Sequence, residues 1–124
     1  MSDLYRENIL DHYGNPRNEG VLENPDISHE RQNPVCGDVV QLDIKLEDGR
    51  VKEARFRGQG CVISMASASM FTEKIKGKTI SELQELDEED IFDMLGVELG
   101  PSRVYCGVLP LKVMQEALAE LEQD

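Results

Sequence analysis

Only three cysteines occur in the 124 residues, and none of them stands in a C-x-x-C pair. An odd number leaves one thiol over in any pure disulfide framework. At this length an apolar core suffices for folding, so disulfides are not required. A long apolar run is missing, as is the pattern of a signal peptide. No membrane partner is therefore expected, and the default compartment is cytoplasmic. Thiols stay reduced there, which makes thiol chemistry or metal binding the first reading of the cysteines. Basic residues are also scarce, 13 against 25 acids, for a formal net charge of −12. Such a surface repels phosphate backbones and argues against nucleic acid, while favouring basic partner surfaces. The acidic excess lies mostly after Ser81 and reads as solvated helix faces.

What is present is a pattern of short elements. "SDLYRENILDHYG" reads as an N-terminal helix with Leu4, Ile9, Leu10 and Tyr13 on one apolar side and Ser2 or Asp3 as its cap. Gly14, Asn15 and Pro16 stop it, and the stretch to Asn33 reads as loop, with "ISHERQ" as a short strand. Val40, Leu42, Ile44 and Leu46 alternate with polar residues, the mark of a half-buried strand. Asp48-Gly49 signals a hairpin into "VKEARFRG". A three-residue loop, Asp48 to Arg50, pairs Ile44 with Ala54 and Leu42 with Phe56, with Gly49 or Arg50 left-handed beside a bulge.

The period then changes. From Cys61 to Gly77 the chain reads as a helix with one apolar stripe (Cys61, Met65, Ala68, Ile75) and an unusually small middle, Ser64 to Ser69. Small side chains let a helix lie close against a sheet. Thr79 followed by Glu82 resembles a capping box, and "DEEDIFDML" forms a short helix with acids in its first turn. The last helix is expected to start near Pro110, with Leu111, Met114, Leu118 and Leu121 as its apolar stripe. This order predicts a single α+β domain, residues 1–124, with a small antiparallel sheet of about three strands packed with helices.

Cys36 precedes the first strong strand. Cys61 follows Gly58-Gln59-Gly60 and opens a helix, and Cys106 precedes another expected helix start. All three are thus expected at ends of elements, where unpaired N–H groups favour a thiolate. The gaps, 25 residues from Cys36 to Cys61 and 45 from Cys61 to Cys106, match no zinc-finger rule. On local chemistry alone a shared metal site competes with three unrelated small hydrophobes. A tetrahedral site needs a fourth ligand. Asp38 is the local candidate, since Cys36 and Asp38 flank a glycine that permits a tight turn. His12 and His29 are the alternatives.

Four stretches together carry a family likeness: "LYRENILDHYGNPRNEG", "NPVCGD", "RFRGQGCVISMASASMFTEKIKGK" and "RVYCGVL". They resemble the iron–sulfur cluster assembly scaffolds of the IscU/SufU/NifU-N type over nearly the whole chain, with the same cysteine order. The resemblance implies an α+β fold with the three cysteines converging at one exposed end. It implies a scaffold that accepts persulfide sulfur from a PLP-dependent cysteine desulfurase, takes up iron, builds a transient [2Fe–2S] cluster and passes it to apo-proteins. By position, Cys36, Cys61 and Cys106 become cluster or metal ligands, with zinc in the cluster-free form. Asp38 becomes the carboxylate ligand that keeps the cluster labile. Cys106 is the persulfide acceptor of the IscU branch, and Cys61 that of the SufU branch. A frataxin-like or ferredoxin partner and a cluster-loaded homodimer are also implied, the latter through Tyr5.

The chain departs from both branches. The interval from Cys61 to Cys106 lacks the insertion typical of SufU. Tyr105 stands where IscU proteins carry His, and Leu99-Gly100-Pro101-Ser102-Arg103 keeps only Leu and Pro of the chaperone motif "LPPVK". A phenol is a poor ligand beside thiolates, so three cysteines with Asp38 are the expected set. Two further functions compete with the scaffold: a zinc-dependent sulfurtransferase of SufU type, which uses the same four residues, and a structural zinc module.

Overall fold

A computed structural model describes residues 3–33, 37–97 and 99–123. The elements run α1 (Asp3–Gly14), β1 (Ile27–Gln32), β2 (Val39–Glu47), β3 (Arg50–Gln59), α2 (Val62–Ile75), α3 (Ile80–Gln84), α4 (Glu88–Leu95) and α5 (Pro101–Gln123). The strands form one antiparallel sheet in the order β1-β2-β3. The chain therefore forms the expected single α+β domain. Helix α2 lies over β3, α5 lies over β1 and β2, α1 packs on α2, and α4 packs on α5.

The alternation in β2 places Val40, Leu42 and Ile44 against the helices, where they are buried with Ala54 and Phe56 of β3. Each large apolar side chain buried this way contributes about 1.5–3 kcal/mol. Ile44 pairs with Ala54 and Leu42 with Phe56, as the pattern requires. The turn differs from expectation. Only Asp48 and Gly49 form it, both left-handed (φ 54° and 77°), while Arg50 already pairs with Glu47. The extra residue sits further back, at a register shift where Lys45 pairs with Glu53 and Leu46 with Val51. A two-residue turn of this kind matches the twist of its strands. The bulge restores the face and carries Val51 inward, where it is 3% exposed.

Three helices differ from their expected form. Helix α5 begins at Pro101, not near Pro110, and Pro110 lies inside it. Pro101 occupies the first helical position, where its missing N–H costs nothing. Pro110 cannot donate to the carbonyl of Cys106, but it is buried in a helix whose Val108, Leu109, Leu111, Val113 and Met114 all enter the core. Leu118 is buried as expected, whereas Leu121 is 42% exposed. Helix α1 buries only Ile9 of its expected apolar side; Leu4, Leu10 and Tyr13 are exposed. The expected cap at Ser2 and the side chain of Asp3 lie outside the described residues. Helix α2 is buried on most of its surface rather than along one stripe, because it is enclosed by β3, α1 and α5 together.

Burying the hydroxyls of α2 is tolerable because each finds a partner. Ser64 donates to the Cys61 carbonyl (3.1 Å), Ser67 to the Gly107 carbonyl (2.6 Å) and Thr72 to the Ser69 carbonyl (2.7 Å). Ser69 accepts the Arg17 N–H at 2.8 Å and lies 2.8 Å from His12 Nδ1. The segment "DHYGNPRNEG" is thereby clasped to the core. Asn18 donates to the Thr72 hydroxyl (3.2 Å), and its carbonyl accepts the Phe56 N–H (2.9 Å).

Burial, and then the Arg17 guanidinium, hold His12 below the ordinary imidazole range, against the pull of Glu73 and Asp11. The unfolded chain therefore binds a proton that folded His12 resists. Stability from this residue is complete above the ordinary value of about 6.5 and falls as pH drops below it. Urea midpoints of wild type and His12→Asn, compared from neutral to mildly acidic pH, are expected to show a shallower decline in the variant. At neutral pH the variant loses about 1–3 kcal/mol through the disturbed Ser69 hydroxyl. Identical pH slopes would refute this role.

Candidate metal centre

Three elements bring chemistry to one end of the sheet. Asp38 directly precedes β2, Cys61 is the N-cap of α2, and Cys106 stands in the second turn of α5. One donor atom from each lies within 4.8 Å of the others. Cys36, the remaining ligand expected from sequence, lies outside the described residues. Among the described residues no other group of three or more His, Cys, Asp or Glu side chains gathers so closely.

Local backbone geometry explains each placement. Just before β2, the Asn33 N–H donates to the Asp38 carbonyl (2.6 Å) and the Gly37 N–H to the Asn33 carbonyl (2.7 Å). Gly37 has a φ of 76°, which a side chain would strain. Asp38 is held at 6% exposure. Cys61 has extended backbone angles (φ −76°, ψ 172°), and its side chain makes no capping hydrogen bond. Its sulfur is thus not consumed by the helix end.

Gly60 is what allows the carboxyl so near that helix end. A Cβ on Gly60 would lie 2.7 Å from Asp38 Cγ and 2.5 Å from Ser64 Oγ. Cys106 is 3% exposed, so its sulfur belongs to the interior, not to an element end as its sequence context suggested. The difference follows from α5 starting at Pro101. Cys61 is half-buried and is the more accessible of the two described thiols.

Two residues close to the centre carried no chemical role in the sequence reading. Asn33, 3% exposed, brings its Nδ2 to 3.9 Å from Cys106 Sγ. Its place at the head of "NPVCGD" is the one sequence signal. Ser64 abuts the site from α2, within the small-residue stretch. The histidine alternatives are committed elsewhere. His12 contacts Ser69, whereas His29 Nε2 lies 2.9 Å from Glu116 and its Nδ1 3.6 Å from Glu120. Tyr105 is 56% exposed.

The donor set fits a metal. Two thiols and a carboxyl, two of them nearly buried, crowd potential negative charge into a desolvated space, and a cation compensates it. Thiolates select soft or borderline ions such as zinc and iron, while a carboxylate is a harder and weaker ligand for them.

Known proteins resemble this chain over most of its length. The family model described as NifU-like N terminal domain matches residues 4–124. The zinc-dependent sulfurtransferase SufU of Bacillus subtilis is 41% identical, covering 98% of this chain and 94% of its own. Its alignment runs over 139 residues, more than the 124 present here, so that relative carries extra residues. The iron–sulfur cluster assembly scaffold protein IscU of Escherichia coli is 40% identical, covering 94% of this chain and 92% of its own. A solved candidate cluster assembly scaffold for the SUF system of Fervidobacterium islandicum superposes with a TM-score of 0.78 at 30% identity, covering 95% of this chain and 99% of that one. From sequence and fold alike, the chain belongs to the NifU-like N-terminal domain family of IscU and SufU proteins.

Proposed function

We propose that the protein is a scaffold on which a [2Fe–2S] cluster is assembled and from which it is released. The observation that carries this reading is the convergence of Cys61, Cys106 and a nearly buried Asp38 from three elements. In it, Cys36 completes the ligand set. The cargo is held firmly through thiolates and loosely through the carboxylate, which suits a site that must let go. A cysteine desulfurase supplies sulfur. A thiolate of this chain attacks the outer sulfur of the donor's persulfide, the donor leaves as a thiolate, and the sulfane sulfur stays here. Cys61, at the helix end and more exposed, is the accessible acceptor; Cys106 is the alternative. Reducing two sulfane sulfurs to sulfide takes more electrons than two ferrous ions provide in becoming ferric. The remainder calls for a ferredoxin-like donor. A frataxin-like partner and a cluster-bridged homodimer belong to the same reading, as do apo-protein recipients.

The second reading is a zinc-dependent sulfurtransferase, favoured by the 41% identity to SufU. It uses the same residues with zinc as a resident ion. No described helix is long and apolar enough to cross a membrane, which accords with a cytoplasmic role in either case.

Anaerobic reconstitution with iron, cysteine and a desulfurase separates the two. A stable visible chromophore supports the scaffold, whereas tight zinc with rapid stimulation of the desulfurase and no chromophore replaces it with the transferase. Asp38→Ala is expected to give a longer-lived cluster that moves more slowly to an apo-ferredoxin; an unchanged or shorter transfer half-time counts against the carboxylate's role. Gly60→Ala is expected to keep the far-UV spectrum but to weaken zinc binding about 10–100-fold by displacing Asp38. Wild-type zinc affinity in that variant would show the close approach to be dispensable. Metal removal by chelation is expected to leave cooperative unfolding intact, because the apolar core lies between the sheet and the helices. Unfolding on chelation would favour the structural zinc module.

A further inference from the structure

Asn33 touches two of the site's ligands at once. Its N–H donates to the Asp38 carbonyl at 2.6 Å, and its side-chain Nδ2 reaches Cys106 Sγ at 3.9 Å. Asn33 and Cys106 stand 73 positions apart in the chain, and each is only 3% exposed. One residue therefore ties the segment that carries Asp38 to the helix that carries Cys106.

A buried amide needs acceptors for its N–H groups. A neutral thiol is a weak acceptor, whereas a hydrogen bond to an ionised partner is roughly twice as strong. An amide beside this sulfur thus gains most when Cys106 is a thiolate, the form that binds a metal. The other described thiol differs. Cys61 makes no capping hydrogen bond, and among the described residues no donor reaches its sulfur. The amide is directed at one ligand of the pair.

We propose that Asn33 is a positioning residue for the metal. Its amide donates an N–H···S hydrogen bond that orients the Cys106 sulfur and draws charge from it, while its backbone holds Asp38. Hydrogen bonds of this type fix a ligand's donor atom and tune the ion it binds. The inference rests on Cys106 being a ligand, as in the function proposed above, and holds for zinc and for a cluster alike.

The test is titration of the full-length, metal-free protein with cobalt(II), followed by thiolate-to-cobalt charge-transfer absorption. Wild type is compared with Asn33→Ala and Asn33→Leu; leucine keeps the approximate shape and has no N–H to donate. Far-UV spectra are expected to be unchanged, because the backbone bonds of residue 33 do not involve its side chain. Each variant is expected to bind cobalt about tenfold more weakly. Each is also expected to move the charge-transfer band to lower energy, since the lone pairs of a sulfur without its hydrogen bond lie higher. The same substitutions are then made in Cys106→Ser, where the sulfur is gone. There they are expected to change affinity by less than about twofold.

A band that responds to Cys106→Ser but to neither Asn33 variant overturns this inference alone. So does an equal loss of affinity with and without the Cys106 sulfur, which would make Asn33 a support of the fold only. A wild-type band that Cys106→Ser leaves unchanged would show that Cys106 is not a ligand. That outcome overturns the ligand set itself, and this inference with it.

Discussion

The 2.6 Å hydrogen bond from Ser67 to the Gly107 carbonyl is the contact on which the metal centre depends. It ties the middle of α2 to α5 one residue beyond Cys106, while the start of α2 carries Cys61. The two thiols are brought together where these helices pack, a serine side chain of one bonded to the backbone of the other. Such an approach is helped by small residues on α2. These are Ser64, Ala66, Ser67 and Ala68, all buried. Gly107 of α5 makes room on another side: a Cβ there would lie 2.8 Å from Leu99 Cδ1 and 3.2 Å from Leu95 Cδ1, and at an ordinary 3.7 Å from Ile63 of α2. Larger side chains would separate the helices and, with them, the sulfurs.

The polar residues divide by task. Those of "DHYGNPRNEG" supply no ligand; they fasten α1 and its following loop to α2 and β3 through Ser69, Thr72 and the backbone of Phe56. A buried polar network of this kind aligns elements more exactingly than apolar contact does, since every member needs its partner. Much of the acidic excess is also structural. Thr79 with Glu82 and Asp87 with Asp90 form complete capping boxes at the starts of α3 and α4, where the helix dipole welcomes negative charge. The −12 charge thus reflects helix starts as well as a solvated surface.

Around the centre, rigid and permissive features alternate. Backbone hydrogen bonds tie Asn33 to Gly37 and Asp38, and Gly60 lacks the Cβ that would push the carboxyl away. Cys61 keeps partial exposure at the helix end while Cys106 is withdrawn. A scaffold and a sulfur relay both need this asymmetry, one thiol to receive and one to hold.

Period and composition determined a good deal. Alternation from Val40 to Leu46 identified a half-buried strand and its pairing through Ile44 and Leu42, a capping box identified α3, and first-turn acids identified α4. These features are local, so neighbouring residues suffice to specify them. Motif likeness identified the family. Tertiary structure alone decided that α5 runs through Pro110, that α2 is buried on most sides, and that α1 leaves Leu10 and Tyr13 to solvent. Each depends on what packs against the helix from elsewhere in the chain. A proline penalty of about 3 kcal/mol is offset only by such burial. The meeting of Asp38, Cys61 and Cys106 is likewise a property of packing, because residues this far apart in sequence are joined only by the contact between helices and sheet.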